Sequence, residues 1–160
     1  MVTIGSSPSG FPEPPLSAAE QAVSEHLDEL LRRGDHPAFN RLQAELWAAG
    51  TTRRLDELDP GFLELSYALN AENLPHAVTV VNRVAATRVA LGRLTDCAVP
   101  SLIIVGEHDL TPELVAADHL AAELPDATLI RMPGTAHSPS IERPSEFLQI
   151  VQRWLADNEL

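Results

Sequence analysis

The sequence predicts an α/β protein in which three parallel strands with flanking helices carry an all-helical insertion. Two observations lead there. Ser101–Val105 and Ala127–Arg131 are short apolar runs separated by one helix-length segment, a strand–helix–strand unit whose strands lie parallel. Between Ser17 and Leu94, by contrast, apolar residues recur at helical spacing and no strand pattern stands out. The expected organisation is a core strand and connector over 1–15, a helical insertion over 16–95 and the rest of the α/β core over 96–160.

Each element has its own local reason. Val2-Thr3-Ile4 is β-branched and stops at Gly5-Ser6-Ser7-Pro8, so it reads as the end of a buried strand, and Gly10, Pro12, Pro14 and Pro15 make a stiff connector after it. Ser17-Ala18-Ala19-Glu20 is a capping box, in which serine and glutamate satisfy each other's backbone amides. It opens a helix with Ala19, Val23, Leu27, Leu30 and Leu31 on one face and Gly34 as its stop. Asp35-His36-Pro37 starts a second helix with Phe39, Leu42, Leu46 and Trp47, ended by Gly50. Asp59-Pro60 starts a third, with Phe62, Leu65 and Leu69, which Pro75 breaks; Ala77 to Leu94 is long enough to predict a fourth. After Pro100 the continuous apolar run Ser101–Val105 predicts a strand covered on both faces. Thr111-Pro112-Glu113 caps the next helix, and Pro144 opens the last, whose Phe147, Ile150, Val151, Trp154 and Leu155 share one face.

Composition narrows the function classes. Apolar residues at 44% and charged residues at 21% belong to a folded chain rather than a disordered one. A formal charge of −12, from 23 acidic and 11 basic side chains, speaks against nucleic acid or an anionic membrane surface as partner. Cys97 is the single cysteine, so neither an internal disulfide nor a cysteine-based zinc site can form within one chain, and a buried thiol is expected. No apolar run has the length of a membrane span and no signal-peptide pattern opens the chain, which makes the cytoplasm the default location.

The chemistry concentrates near the end. Asp109 follows the run Ser101–Val105 and His137 follows Ala127–Arg131, so a carboxylate and an imidazole end neighbouring parallel strands, where an acid can orient a general-base histidine. Val99-Pro100 before Leu102–Asp109, then Pro133-Gly134-Thr135-Ala136-His137, then Glu142-Arg143-Pro144 and a closing amphipathic helix together resemble the C-terminal part of the α/β-hydrolases. Ile4-Gly5-Ser6-Ser7-Pro8 and the helical insertion are similar to that family's sixth strand and lid. The resemblance spans essentially the whole chain and is closest from Val99 onward. It implies that Asp109 is the acid and His137 the base of a Ser-His-Asp triad, with Glu107 a weak substitute acid. His108 and His137 have no further ligands at metal-binding spacing, so neither metal nor other cofactor is expected. His26, His36, His76 and His119 fall on predicted helices and read as packing or surface residues.

The nucleophile is where the chain departs from the family. A hydrolase elbow needs a strand, Gly-x-Ser-x-Gly and a helix, because the tight turn projects the serine while the following amide helps bind the oxyanion. Gly5-Ser6-Ser7-Pro8-Ser9 offers only Gly-x-Ser-x-Ser, Pro8 removes an amide, and the Gly- and Pro-rich run after it cannot be a helix. Ser6 and Ser7 are therefore expected in a loop at the pocket rim; Ser66, Ser101, Ser138 and Ser140 have no elbow around them. The resemblance implies that the earlier strands and the elbow precede Met1 in a complete family member. The function expected from it is serine-type hydrolysis of a small apolar carboxylic ester or lactone, with acid and base in this chain and the nucleophile absent. The second reading is a truncated or degenerate, non-catalytic hydrolase that binds a small apolar ligand or a partner chain. Either way the first strand keeps an unpaired inner edge, through which the chain is expected to self-associate or take a partner chain unless it is only marginally folded.

Overall fold

The computed structural model describes residues 1–72 and 89–159, which divide into two compact units: Met1–Pro15 with Ala86–Leu160, and Leu16–Ala85. The first unit is built on a three-stranded, wholly parallel sheet of order β1 (Val2–Ile4), β2 (Ser101–Gly106) and β3 (Ala127–Met132). Val2 pairs with Leu102 and Ile4 with Ile104 on one side of β2; Ser101 pairs with Ala127 and Gly106 with Met132 on the other.

Every residue of β2 is buried, which is why its sequence is continuously apolar instead of alternating. Its side chains still alternate between faces. Ile103 and Val105 join Leu94, Ala117, Leu120 and Leu124 under α4 (Thr111–Glu123). Leu102 and Ile104 join Met132 and Trp154, with Phe147, Ile150 and Val151 of α6 (Pro144–Asp157) packed around them. Burying a side chain of this size contributes roughly 1.5–3 kcal/mol, so the β2 core anchors the strand ends described below. Cys97 is half-buried against the α4-side cluster.

Helix starts differ from expectation in one place. The cap position of α4 falls on Leu110, whose side chain gives no cap bond, and Thr111 is the first helical residue. The reason is Asp109: the chain turns at the end of β2, and the Leu110 N–H already donates to its carboxylate. Most of Ala77–Leu94 lies outside the described residues; a 3-10 helix over Leu91–Asp96 overlaps its end and packs through Leu94 in the sheet unit. His76 also lies outside them. Among the described residues no helix is long and apolar enough to cross a membrane.

The second unit contains α1 (Ala18–Arg33), α2 (His36–Ala49) and α3 (Pro60–Ala71). All three begin at the residues that the capping signals indicate: Ser17 and Glu20 form the reciprocal box, and Asp35 and Asp59 accept from Ala38 N–H and Phe62 N–H. The buried face of α2 is lined by Ala44, Ala48 and Ala49 rather than by the large apolar residues beside them, because small side chains one turn apart let α3 bring Phe62 close. Across the same helix pair the Tyr67 hydroxyl donates to Glu45 Oε1 at 2.7 Å, and the Arg41 guanidinium lies 4.7 Å over the Tyr67 ring.

Burial of the phenol, reinforced by its bond to Glu45, holds the Tyr67 pKa above its ordinary value. An unfolded chain gives up that proton first as pH rises, so the stabilisation is complete below about pH 10 and is lost as pH climbs through the higher folded-state value. Tyr67 is the single tyrosine, so ultraviolet titration reads it directly. Its midpoint is expected above that of free tyrosine and closer to it in Glu45→Gln; a midpoint at or below the free value would contradict this packing.

Candidate active site

Because all three strands run parallel, their C-terminal ends lie along one edge, and Gly5, Asp109 and His137 follow β1, β2 and β3 there. The edge is shaped by Gly106, the last residue of β2. A Cβ built on it would stand 2.0 Å from the Ala136 carbonyl oxygen and 2.6 Å from that of Thr135. Only glycine lets the loop after β3 cross so near the strand end. The crossing is fastened by His108 N–H donating to the Thr135 carbonyl at 2.9 Å and Glu107 N–H to the Met132 carbonyl at 3.0 Å. A further backbone bond, Asp109 N–H to Gly106 O at 3.2 Å, closes a tight turn.

That turn sets Asp109 inside. Its side chain is fully buried, Oδ1 accepts from the Leu110 N–H at 2.8 Å, and the two oxygens lie 3.2 and 3.3 Å from His137 Nδ1. A buried carboxylate is tolerable only when hydrogen-bonded, and the Leu110 amide and the His137 ring supply such bonds. A carboxylate can only accept, so Nδ1 carries the proton of this bond and the basic lone pair of the neutral ring belongs to Nε2. The His137 side chain is 29% exposed, so the pair is buried on its acid side and accessible on its imidazole side.

Gly5 forms the third wall. Its N–H donates to Ile104 O at 3.0 Å, its φ is +46°, and a Cβ there would meet His137 Cε1 and Nδ1 at 3.1 Å and Asp109 Oδ2 at 3.3 Å. Neither Gly5 nor Gly106 stood out as part of a site in the sequence; the only available signal was a glycine at each strand end. Glu107, weighed as a substitute acid, points its Oε2 at the Gly134 N–H, 2.9 Å away, with His108 Nε2 at 3.8 Å. Glu142, whose place in the sequence gave no sign of a site role, accepts from the Ala136 N–H at 3.2 Å. Ser6 turns its hydroxyl back to the Ile4 carbonyl at 2.7 Å, and Ser7 is exposed. No helix follows β1 before Ala18. Among the described residues no three His, Cys, Asp or Glu side chains gather as a metal-ligand set. His26, His36 and His119 lie on α1, α2 and α4.

Two substitutions test the strand ends. Gly106→Ala must displace backbone and is expected to cost about 3 kcal/mol or more, whereas Gly5→Ala meets side-chain atoms and a left-handed φ, at roughly 1–2 kcal/mol. Denaturant unfolding midpoints would rank them; a Gly106→Ala chain as stable as the unsubstituted one would mean that the loop does not cross this closely.

No protein-family model matches the chain. Over 59 residues it is 42% identical to the pimeloyl-(acyl-carrier protein) methyl ester esterase of Yersinia enterocolitica, a stretch that covers 36% of this chain and 22% of that protein. Among solved structures it is similar to MenH from S. aureus, with 17% identity, a TM-score of 0.61, and 99% of this chain matched to 59% of that one. It is also similar to MGS-M2, an α/β-hydrolase enzyme from a Medee basin deep-sea metagenome library, with 18% identity, a TM-score of 0.61, and 98% of this chain matched to 55% of that one. The chain thus spans little more than half the length of these structures. At such identities the likeness is one of fold, and that fold is the α/β-hydrolase fold, to whose C-terminal part this chain corresponds.

Proposed function

We propose that the chain supplies the acid and the base of a serine-type hydrolase acting on a carboxylic ester or lactone. The observation that carries this reading is the buried Asp109 carboxylate lying 3.2 Å from His137 Nδ1. Asp109 holds the tautomer in which Nε2 can accept a proton and stabilises the imidazolium that results. Nε2 takes the proton of a serine hydroxyl as its oxygen bonds to the acyl carbon. The imidazolium then gives that proton to the departing alkoxide as the ester C–O bond breaks. Water, deprotonated by the same nitrogen, releases the acyl group as a carboxylic acid and restores the serine. The stretch of 42% identity to a methyl ester esterase supports an ester as the bond cleaved, and a lactone is an internal ester.

The serine is assigned to polypeptide outside these 160 residues. No serine in the sequence has glycine both two residues before and two residues after it, and the residues from Gly5 to Ser17 are not helical. The surface assigned to receive that polypeptide is the unpaired edge of β1, which among the described residues has β2 as its single neighbour and leaves Met1 and Val2 44% and 42% exposed. The same non-helical run favours, as a second reading, a protein that binds an apolar ester without cleaving it.

Turnover of a short-chain p-nitrophenyl ester separates these readings. The chain alone is expected to match the buffer rate. Joined to the strand-and-elbow segment of a structural relative, it is expected to gain activity that Asp109→Asn lowers by about 10⁴-fold and His137→Ala by a comparable factor. No gain, with the ester still bound, would favour the binding protein. Turnover by the chain alone that His137→Ala abolishes would put the nucleophile within it, and its loss in Ser7→Ala would identify that nucleophile. Sedimentation of the isolated chain as a stable, cooperatively unfolding monomer would count against the β1 edge as a docking surface.

A further inference from the structure

The loop that carries His137 is tied down by carboxylates that take no part in the acid–base pair itself. The Gly134 N–H donates to Glu107 and the Ala136 N–H to Glu142, while the Thr135 carbonyl between them accepts from His108. The Thr135 side chain, fully buried, donates its hydroxyl to the Met132 carbonyl at 3.0 Å. The two carboxylates hold different parts of the loop. Glu107 is 55% exposed at its side chain and holds Gly134, three residues from His137. Glu142 ends the short helix α5 (Pro139–Glu142) and reaches back to the residue immediately before His137.

Ala136 is therefore fixed at both ends of its backbone. Its N–H is held by Glu142 and its carbonyl oxygen is pressed against Gly106. The residue is 1% exposed, so water has little access to replace the carboxylate, and a bond from an amide to an ionised group is stronger than one to a neutral acceptor.

We propose that Glu142 is a positioning residue for His137: by holding the Ala136 amide it fixes the backbone from which the imidazole is presented to Asp109. The proposal rests on the reading of Asp109 and His137 as an acid–base pair and needs no substrate, so it can fail separately from that reading.

The test is proton NMR of the full chain, following the downfield resonance of an imidazole Nδ1–H bonded to a carboxylate, assigned by its loss in Asp109→Asn. Glu142→Gln keeps an acceptor oxygen at the same reach and removes the charge; Glu142→Asp keeps the charge and falls one methylene short. E142Q is expected to retain the resonance, with Ala136 amide exchange within about threefold of the unsubstituted rate. E142D is expected to lose or broaden it and to exchange the Ala136 amide at least about tenfold faster, as loss of a charge-assisted bond implies. Retention in both variants overturns the proposal, and so does loss in E142Q with retention in E142D, which would assign the effect to charge rather than to the bond. An E142D chain without the circular dichroism of a folded protein would make Glu142 a residue of general stability and overturn it as well. Absence of the resonance from the unsubstituted chain would overturn the acid–base pair itself, and the proposal with it.

Discussion

The close passage of the Thr135–Ala136 backbone over Gly106 is the constraint on which the rest of the site depends. β2 and β3 stay paired to their last residues, Gly106 and Met132, so the chain leaving β3 has no room to drift away before it turns. It folds back across the end of β2, and the missing Cβ of Gly106 lets it lie there. The bond from His108 N–H to Thr135 O and the turn closed by Asp109 N–H then follow from the same crossing. Asp109 and His137, 28 residues apart in the chain, meet because two strand ends are locked in register and one of them carries no side chain.

The asymmetry of burial across the pair has chemical content. A fully buried carboxylate is costly unless its lone pairs are taken up, and the Leu110 amide and the His137 ring both do this. The acid is thereby confined to one geometry, and the imidazole, being partly exposed, is left as the group that can meet a reactant. In the proposed reaction this division matches the roles: the orienting group exchanges no proton with substrate, and the group that does is the one within reach of it.

Much of the fold was legible because its signals are local. A capping residue and its partner sit three positions apart, so Ser17 with Glu20, Asp35 and Asp59 marked the starts of α1, α2 and α3 directly. The uninterrupted run of β2 announced a strand covered on both faces, and strand order placed Asp109 and His137 at one edge. What was not legible depends on tertiary contact. Thr111 looked like a cap, but the turn that buries Asp109 moves the cap position to Leu110. The burial of α2 through alanines, with Leu46 and Trp47 only half-covered, is set by how closely α3 approaches. Glu107 could be ranked as an acid from its place beside Asp109; that it holds an amide 27 residues away could not be read from any local pattern.

Gly5 connects the edge of the sheet to the chemistry. It follows a strand of three residues that, among the described residues, pairs on one side only, yet its backbone is packed against both the imidazole and the carboxylate. The firmness of that wall is the firmness of β1. Pairing along the other edge would add hydrogen bonds to a strand that has β2 as its partner, and a strand held from both sides frays less than an edge strand. In the proposed assembly, the edge that receives the nucleophile-bearing polypeptide is the one that carries Gly5 against His137, so docking there would also tighten the Asp109–His137 pair. In the proposed arrangement, a site divided in this way would have a physical reason to be best ordered when the nucleophile-bearing polypeptide is docked.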